Sequence, residues 1–223
     1  MTFIELVRAV RSRVGMSGTG PASISGAMGA EVDLVNVVSD AYTDIQNARE
    51  DWVWLRDKTT FNTVVGTTTY LPSTIFGTSS HRLGRWKKDS FYFSDGTTSK
   101  YLDNYVDYDT FTYRHINNSV NQKISEFTIR PQDDAICINR PDSVYAITLD
   151  YQKKPQTLTT DSSVPEMPSH FHLLIVYEAI AKYCAAISSP ELYDKYSYDH
   201  AKLYGSLLRR YLPKKDIIIT GIA

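Results

Sequence analysis

Apolar residues recur at helical spacing towards both ends of the chain and at strand spacing between them. Phe3, Ile4, Leu6, Val7, Val10 and Val14 fall on one side of a helix over 2–14, with Arg8, Arg11 and Arg13 mostly opposite. Thr2 and Glu5 have the spacing of a capping box, and Gly15 ends the helix. The stretch that follows, GMSGTGPASISGAMG, is small and uncharged and predicts a mobile loop. A second helix is predicted from about Ala30 to Asp57 on the stripe Val35, Val38, Tyr42, Ile45 and Trp52. Glu31 and Asp33 sit in its first turn, where the helix dipole favours acid. Its bulky end, Trp52-Val53-Trp54-Leu55-Arg56, is expected to pack against another body.

From Lys58 to about Gln156 the period changes. Short β-type runs at 58–65, 67–71, 91–94, 124–129, 135–138 and 143–151 are punctuated by Gly66, Asp95-Gly96, Pro131 and Pro141. A short helix is expected over 104–115. This predicts an antiparallel module of five to seven strands. Helical spacing returns after Pro165 and Pro168, with Ser169 as N-cap and Phe171 to Ile187 apolar almost all round. Glu178 and Lys182 form an i,i+4 pair on its wet edge. Ser189 caps a last helix, 190–211, that starts at Pro190, carries Tyr196, His200, Leu203 and Leu207, and stops at Pro213.

The fold class expected is α+β, a helical-bundle body built from both ends of the chain with an inserted antiparallel β module. Its parts are 1–57 and 157–212 for the body, 58–156 for the module and 213–223 for an extended tail. Tyr42, Ile45, Trp52, Trp54, Phe171, Leu174 and Tyr177 are expected to pack the body.

Composition narrows the function. With 42% apolar and 22% charged residues the chain is globular, and its net charge of -1 lacks the basic excess of a dedicated nucleic-acid binder. No run approaches a membrane span, and the alternating N-terminus has no signal-peptide core. Cys137 and Cys184 suit a reduced compartment. Tyr is unusually frequent, 16 against 8 Phe, and such residues suit interfaces.

Catalytic signatures are missing where they were sought. Gly15, Gly18 and Gly20 follow a helix and lack the Gly-Lys-Ser/Thr step of a phosphate loop. His170 and His172 point apart on a helix and read as edging its N-terminus. His81, His115 and His200 have no ligand-spaced partner, so neither metal nor cofactor is expected. Asp133-Asp134 and Asp107/Asp109 read as turn carboxylates. The cluster Arg82, Arg85, Lys87 and Lys88 around Trp86 reads as an exposed β-loop. An enzyme is not expected.

The end of the chain, PKKDIIITGIA, is β-branched and nearly uncharged over Ile217-Ile218-Ile219-Thr220. Burying those isoleucines is worth roughly 4–9 kcal/mol to whatever surface receives them. That surface is either the protein's own body or a partner's groove or sheet edge.

The stretches EVDLVNVVSDAYTDIQNAREDWVWLR (31–56) and VPEMPSHFHLLIVYEAIAKYCA (164–185) resemble the helices of tailed-bacteriophage head-to-tail adaptor proteins. The resemblance covers about half the chain and is weakest over 58–156. It implies a structural virion protein at the capsid-tail junction, assembled in the host cytoplasm as a dodecameric ring. The implied partners are the portal protein, a tail, nozzle or tail-terminator protein, and other copies of itself. DNA would pass through the lumen without sequence-specific binding, and no membrane is involved. Portal docking would fall on the tail, at Lys214, Lys215, Ile217, Ile218, Ile219 and Ile222. The alternative is a carbohydrate-binding or glycan-degrading module that displays Tyr, Trp86 and the paired acids.

Overall fold

The computed structural model describes residues 1–77, 82–115 and 119–212. In chain order its elements are α1 (Phe3–Arg13), α2 (Ala30–Asn47), β1 (Arg56–Asn62), β2 (Thr69–Tyr70), α3 (Pro72–Phe76), β3 (Leu83–Trp86), β4 (Tyr92–Ser94), β5 (Ser99–Tyr101), α4 (Tyr108–His115), β6 (Phe127–Ile129), β7 (Ile136–Ile138), β8 (Ala146–Lys153), α5 (His172–Ile187) and α6 (Pro190–Tyr211). The fold is α+β, and the chain divides into two units, Met1–Leu55 with Pro155–Ala223, and Arg56–Lys154.

In the first unit α1 starts at the capping box foreseen for Thr2 and Glu5, each bonding the other's backbone N–H. Its face Phe3, Leu6, Val7 and Val10 joins Leu34, Val38, Ala41, Tyr42 and Ile45 of α2 in one core. The apolar helix α5 packs against α1, α2 and α6, which is why it carries no broad polar face. Of α6, only Leu207 is fully buried, so its other side keeps charge and tyrosine.

Three helical expectations are corrected. The second helix stops at Asn47, not Asp57. The chain turns back there, and the Trp52 indole N–H donates to the carbonyls of Ile45 and Gln46 at 3.0 and 3.1 Å. Trp52 thus satisfies two of the carbonyls that a helix end leaves unpaired, from outside the helix. Ser169 does not cap α5; a 3-10 turn over Ser169–Phe171 precedes the helix. Glu178 and Lys182 do not pair either. Lys182 reaches Asp44 on α2, and Glu178 meets His200 on α6, because both partners lie across a helix interface.

The loop between α1 and α2 was expected to be mobile, yet two arginines hold it. Arg8 donates from Nε and Nη2 to the Pro21 carbonyl, and Arg11 binds the Ser17 carbonyl and Glu31. The segment leading to α5 is strapped just as closely. Gln46 and Gln156 exchange side-chain-to-backbone hydrogen bonds at 2.7 and 3.0 Å, and Tyr42 donates to Gln156 Oε1 at 2.8 Å.

The second unit holds a five-stranded antiparallel sheet, ordered β1-β8-β4-β5 with β3 also on β8, and a three-stranded sheet, β2-β7-β6. Side chains of both meet in an aromatic core, where Phe91 stacks on Phe127 at 4.2 Å between centroids. Among the described residues eight strands form, more than the five to seven predicted, because β3 and β5 are not among the predicted runs. β3 carries Arg85 and Trp86; Trp86 is only 5% exposed while Arg85 and Lys88 stay exposed, so the cluster lies partly on a strand with its tryptophan turned into the core rather than in an exposed loop. Burial alternates from Val144 to Leu149 and then stops alternating, since Asp150, Tyr151 and Gln152 of β8 are all buried. That end of β8 is flanked by β1 on one side and β3 on the other.

Candidate functional site

The six residues assigned to portal docking, Lys214, Lys215, Ile217, Ile218, Ile219 and Ile222, lie outside the described residues. The expected packing residues come together in the helical unit. Tyr42, Ile45, Trp52, Phe171 and Leu174 are buried, and Trp54 and Tyr177 pack half-buried against them. Trp54 stacks on Trp52 at 4.2 Å and meets Tyr211 edge-on, while Phe171 meets the same Tyr211. The last turn of α6, just before the tail, is therefore fixed by an aromatic cluster. Gln46 escaped sequence reasoning, although a glutamine beside the apolar stripe of α2 was a signal that something polar would cross there.

In the second unit a cavity of about 170 Å³ opens beside α4, with Thr69, Phe111, His115, Arg130, Cys137 and Arg140 among its walls. Glu126, largely buried, accepts from Arg114 Nη1 at 2.9 Å and contacts His115. Burial pushes the Cys137 thiol above its ordinary range, so it is not poised as a thiolate. Arg130 is held through two bonds to Asp133, and that bond keeps the Asp133 carboxyl below the usual range. A general acid needs the opposite shift, so Asp133 does not suit that one of the two carboxylate roles in glycan cleavage.

His81 lies outside the described residues, and several of the other candidates have structural partners. Asp107 accepts from the Thr110 backbone as an α4 cap at 3.0 Å. His172 is buried, with Nε2 2.9 Å from the Met167 carbonyl and Nδ1 2.8 Å from the N-terminal ammonium, and desolvation lowers its pKa. His200 Nε2 lies 2.7 Å from Glu178 Oε2, close enough for an ion pair but out of line for a hydrogen bond. The Trp86 indole donates to the Asp134 carbonyl at 2.7 Å. Among the described residues no group of three metal-ligating side chains forms, and no helix is long and apolar enough to cross a membrane.

The sequence profile of the SU10 adaptor protein family matches residues 1–217, and the chain belongs to that family. It is by family a phage structural adaptor and a component of the virion. No curated protein matches the chain.

Proposed function

We propose that this adaptor joins head to tail. Its copies form a ring, dodecameric by resemblance, that binds the portal protein on one side and receives a tail or nozzle protein on the other. The lumen passes DNA without reading its sequence. The observation that carries this reading is the family match over nearly the whole chain. Two physical points support it. A net charge of -1 suits a conduit, because a strongly basic wall would retain DNA by its phosphates. The run Ile217-Ile218-Ile219 suits docking into a partner, and ring repetition lets modest single contacts add, since each docked copy raises the effective concentration of the next. The inserted β unit is proposed as a binding rather than a catalytic part, and the protein as a non-enzyme.

Native mass spectrometry of the purified protein mixed with its cognate portal ring tests this. The expected product is a portal carrying a full ring of adaptors, lost in a variant that ends at Lys215. A full ring with the truncated variant would remove the tail as anchor and keep the adaptor role. If neither protein binds the portal, the head-to-tail reading fails.

A further inference from the structure

The two end strands of the β1-β8-β4-β5 path carry unpaired backbone groups in matching positions. Along β1 the register with β8 runs unbroken from Arg56↔Gln152 to Asn62↔Ala146, and Thr63 N–H donates to the Tyr145 carbonyl just beyond it. Hydrogen-bonded pairs alternate in an antiparallel ladder. Asp57, Thr59, Phe61 and Thr63 therefore bond β8, while Arg56, Lys58, Thr60 and Asn62 turn their backbone groups outward. Lys58 N–H is taken by Asp57 Oδ1 at 2.8 Å. Among the described residues nothing takes the N–H or C=O of Thr60 and Asn62.

The far edge, β5, follows the same logic. Leu102 N–H bonds the Phe91 carbonyl and Asp95 N–H bonds the Thr98 carbonyl, on either side of the register Tyr92↔Tyr101, Phe93↔Lys100 and Ser94↔Ser99. Ser99 and Tyr101 thus turn their backbone groups away from the sheet. Each edge offers two outward residues two positions apart, Thr60 and Asn62 on β1, Tyr101 and Ser99 on β5. Neither edge carries the proline or bulge by which exposed edges are commonly blocked, since β1 reads RDKTTFN and β5 reads SKY.

Strand direction completes the match. Every step along β1-β8-β4-β5 is antiparallel, so β5 runs opposite to β1. A second copy in the same orientation would bring its β1 beside β5 as an antiparallel pair. A head-to-tail contact of this kind, repeated through a rotation, is what closes a ring.

We propose that β5 of one copy pairs with β1 of the next, so that the five-stranded sheets run on from subunit to subunit. The register sets Thr60 against Tyr101 and Asn62 against Ser99. It also sets Lys58 against Asp103, and among the described residues neither side chain has an ion-pair partner. On the solvent face the row Thr60, Thr148, Tyr92 and Tyr101 continues into the neighbour's Thr60. Tyr92 and Tyr101 are 49% and 43% exposed with ring centroids 5.0 Å apart, an aromatic pair that the neighbour's threonine would cover.

This inference rests on the ring reading above, and the test separates the two. Ring formation on the portal is followed by native mass spectrometry for the wild type, Thr60→Pro, Lys58→Asp, Asp103→Lys and the double reversal. Proline at position 60 removes an outward N–H and leaves the β8 ladder intact. Thr60→Pro and each single reversal should cut full-ring occupancy at least tenfold, and the double reversal should restore it. Full rings in all variants would overturn the sheet pairing and leave the ring reading standing. Loss in the single reversals without rescue in the double would overturn the register. A wild type that forms no ring would sink the ring reading itself. Should Thr60→Pro fail to fold, the reversals alone decide, because exposed charges do not enter the core.

Discussion

The two units solve the same problem, burying backbone without losing its hydrogen bonds, by opposite means. In the helical unit each helix satisfies most of its own backbone groups, and the core is filled largely by Leu, Ile, Val and Ala. In the β unit several strands are only two to four residues long, and the connections between them carry buried polar residues of their own, Thr63, Ser90 and Asn139 among them. Those connections borrow side chains. Tyr70 OH serves Val64 and Thr67, Ser90 OH accepts from Asp150 N–H, and Thr63 OH accepts from Tyr145 N–H. Asn139, fully buried, accepts from Ser125 and Glu126 N–H and donates to the Lys123 carbonyl. The abundance of tyrosine, which suggested an interface, is thus partly internal: Tyr70, Tyr145 and Tyr151 supply an apolar body and a polar tip to this core. In Tyr145, burial and the bond to Asp142 push the phenol pKa up to about 12.

The contrast breaks most visibly at Trp52, where the helical unit also relies on a borrowed side chain. Trp52→Ala should cost about 3–5 kcal/mol, from the cavity and from two carbonyls left unpaired. Hydrogen exchange should then show protection lost first in α2 and α5, with β8 amides retained. Equal loss in both units would mean that Trp52 holds more than the core it lies in. Trp52→Phe keeps most of the volume and separates the two contributions.

Asn139→Ala comes next, at about 2–3 kcal/mol, for orphaning buried N–H groups rather than emptying space. Its signature is local. Exchange should rise at Ser125 and Glu126 while helical amides stay protected. A loss below about 0.5 kcal/mol would show that water replaces the amide, and the borrowed-side-chain account of the β unit would fail.

At about 1 kcal/mol, Thr2→Ala probes the self-sufficient unit at its edge, and urea titration of the pair Thr2→Ala and Thr2→Ser should find the second close to wild type. This cap is also where sequence and structure agree best, for a physical reason. Capping, amphipathic spacing and Pro-Gly punctuation are local, so α1, α5 and α6 could be placed from neighbours in the chain. β3 and β5 could not. Arg85, Trp86 and Lys100 look like solvent-facing loop until β8 and β4 lie beside them, and in the first case the pairing joins residues as far apart in the chain as Trp86 and Tyr151. The end of α2 failed for the same cause, because Trp52 at seven residues from Ile45 continues a helical stripe on paper yet folds back from beyond the helix. Of the candidate sites, the packing residues were legible because burial follows periodicity. The tail was legible only as an adhesive segment, since its partner is not in the sequence.

The smallest expected effect is a slope in pH, and it too belongs to the helical unit. Burial is the leading cause of the lowered His172 pKa, with the N-terminal ammonium and His170 adding to it, against the hydrogen bond to Met167 that favours the charged form. The folded state therefore holds the ring neutral where the unfolded chain, with its ordinary value of 6.5, begins to take up a proton. Above that value protonation leaves stability unchanged. As pH falls through 6.5 the unfolded state gains protons first, and stability declines until the folded-state pKa is reached. His172→Gln keeps a donor and an acceptor at the position and removes the titration. Urea midpoints between pH 7.5 and 5.5 should fall less steeply for the variant than for the wild type. Parallel slopes would place the acid sensitivity elsewhere than His172.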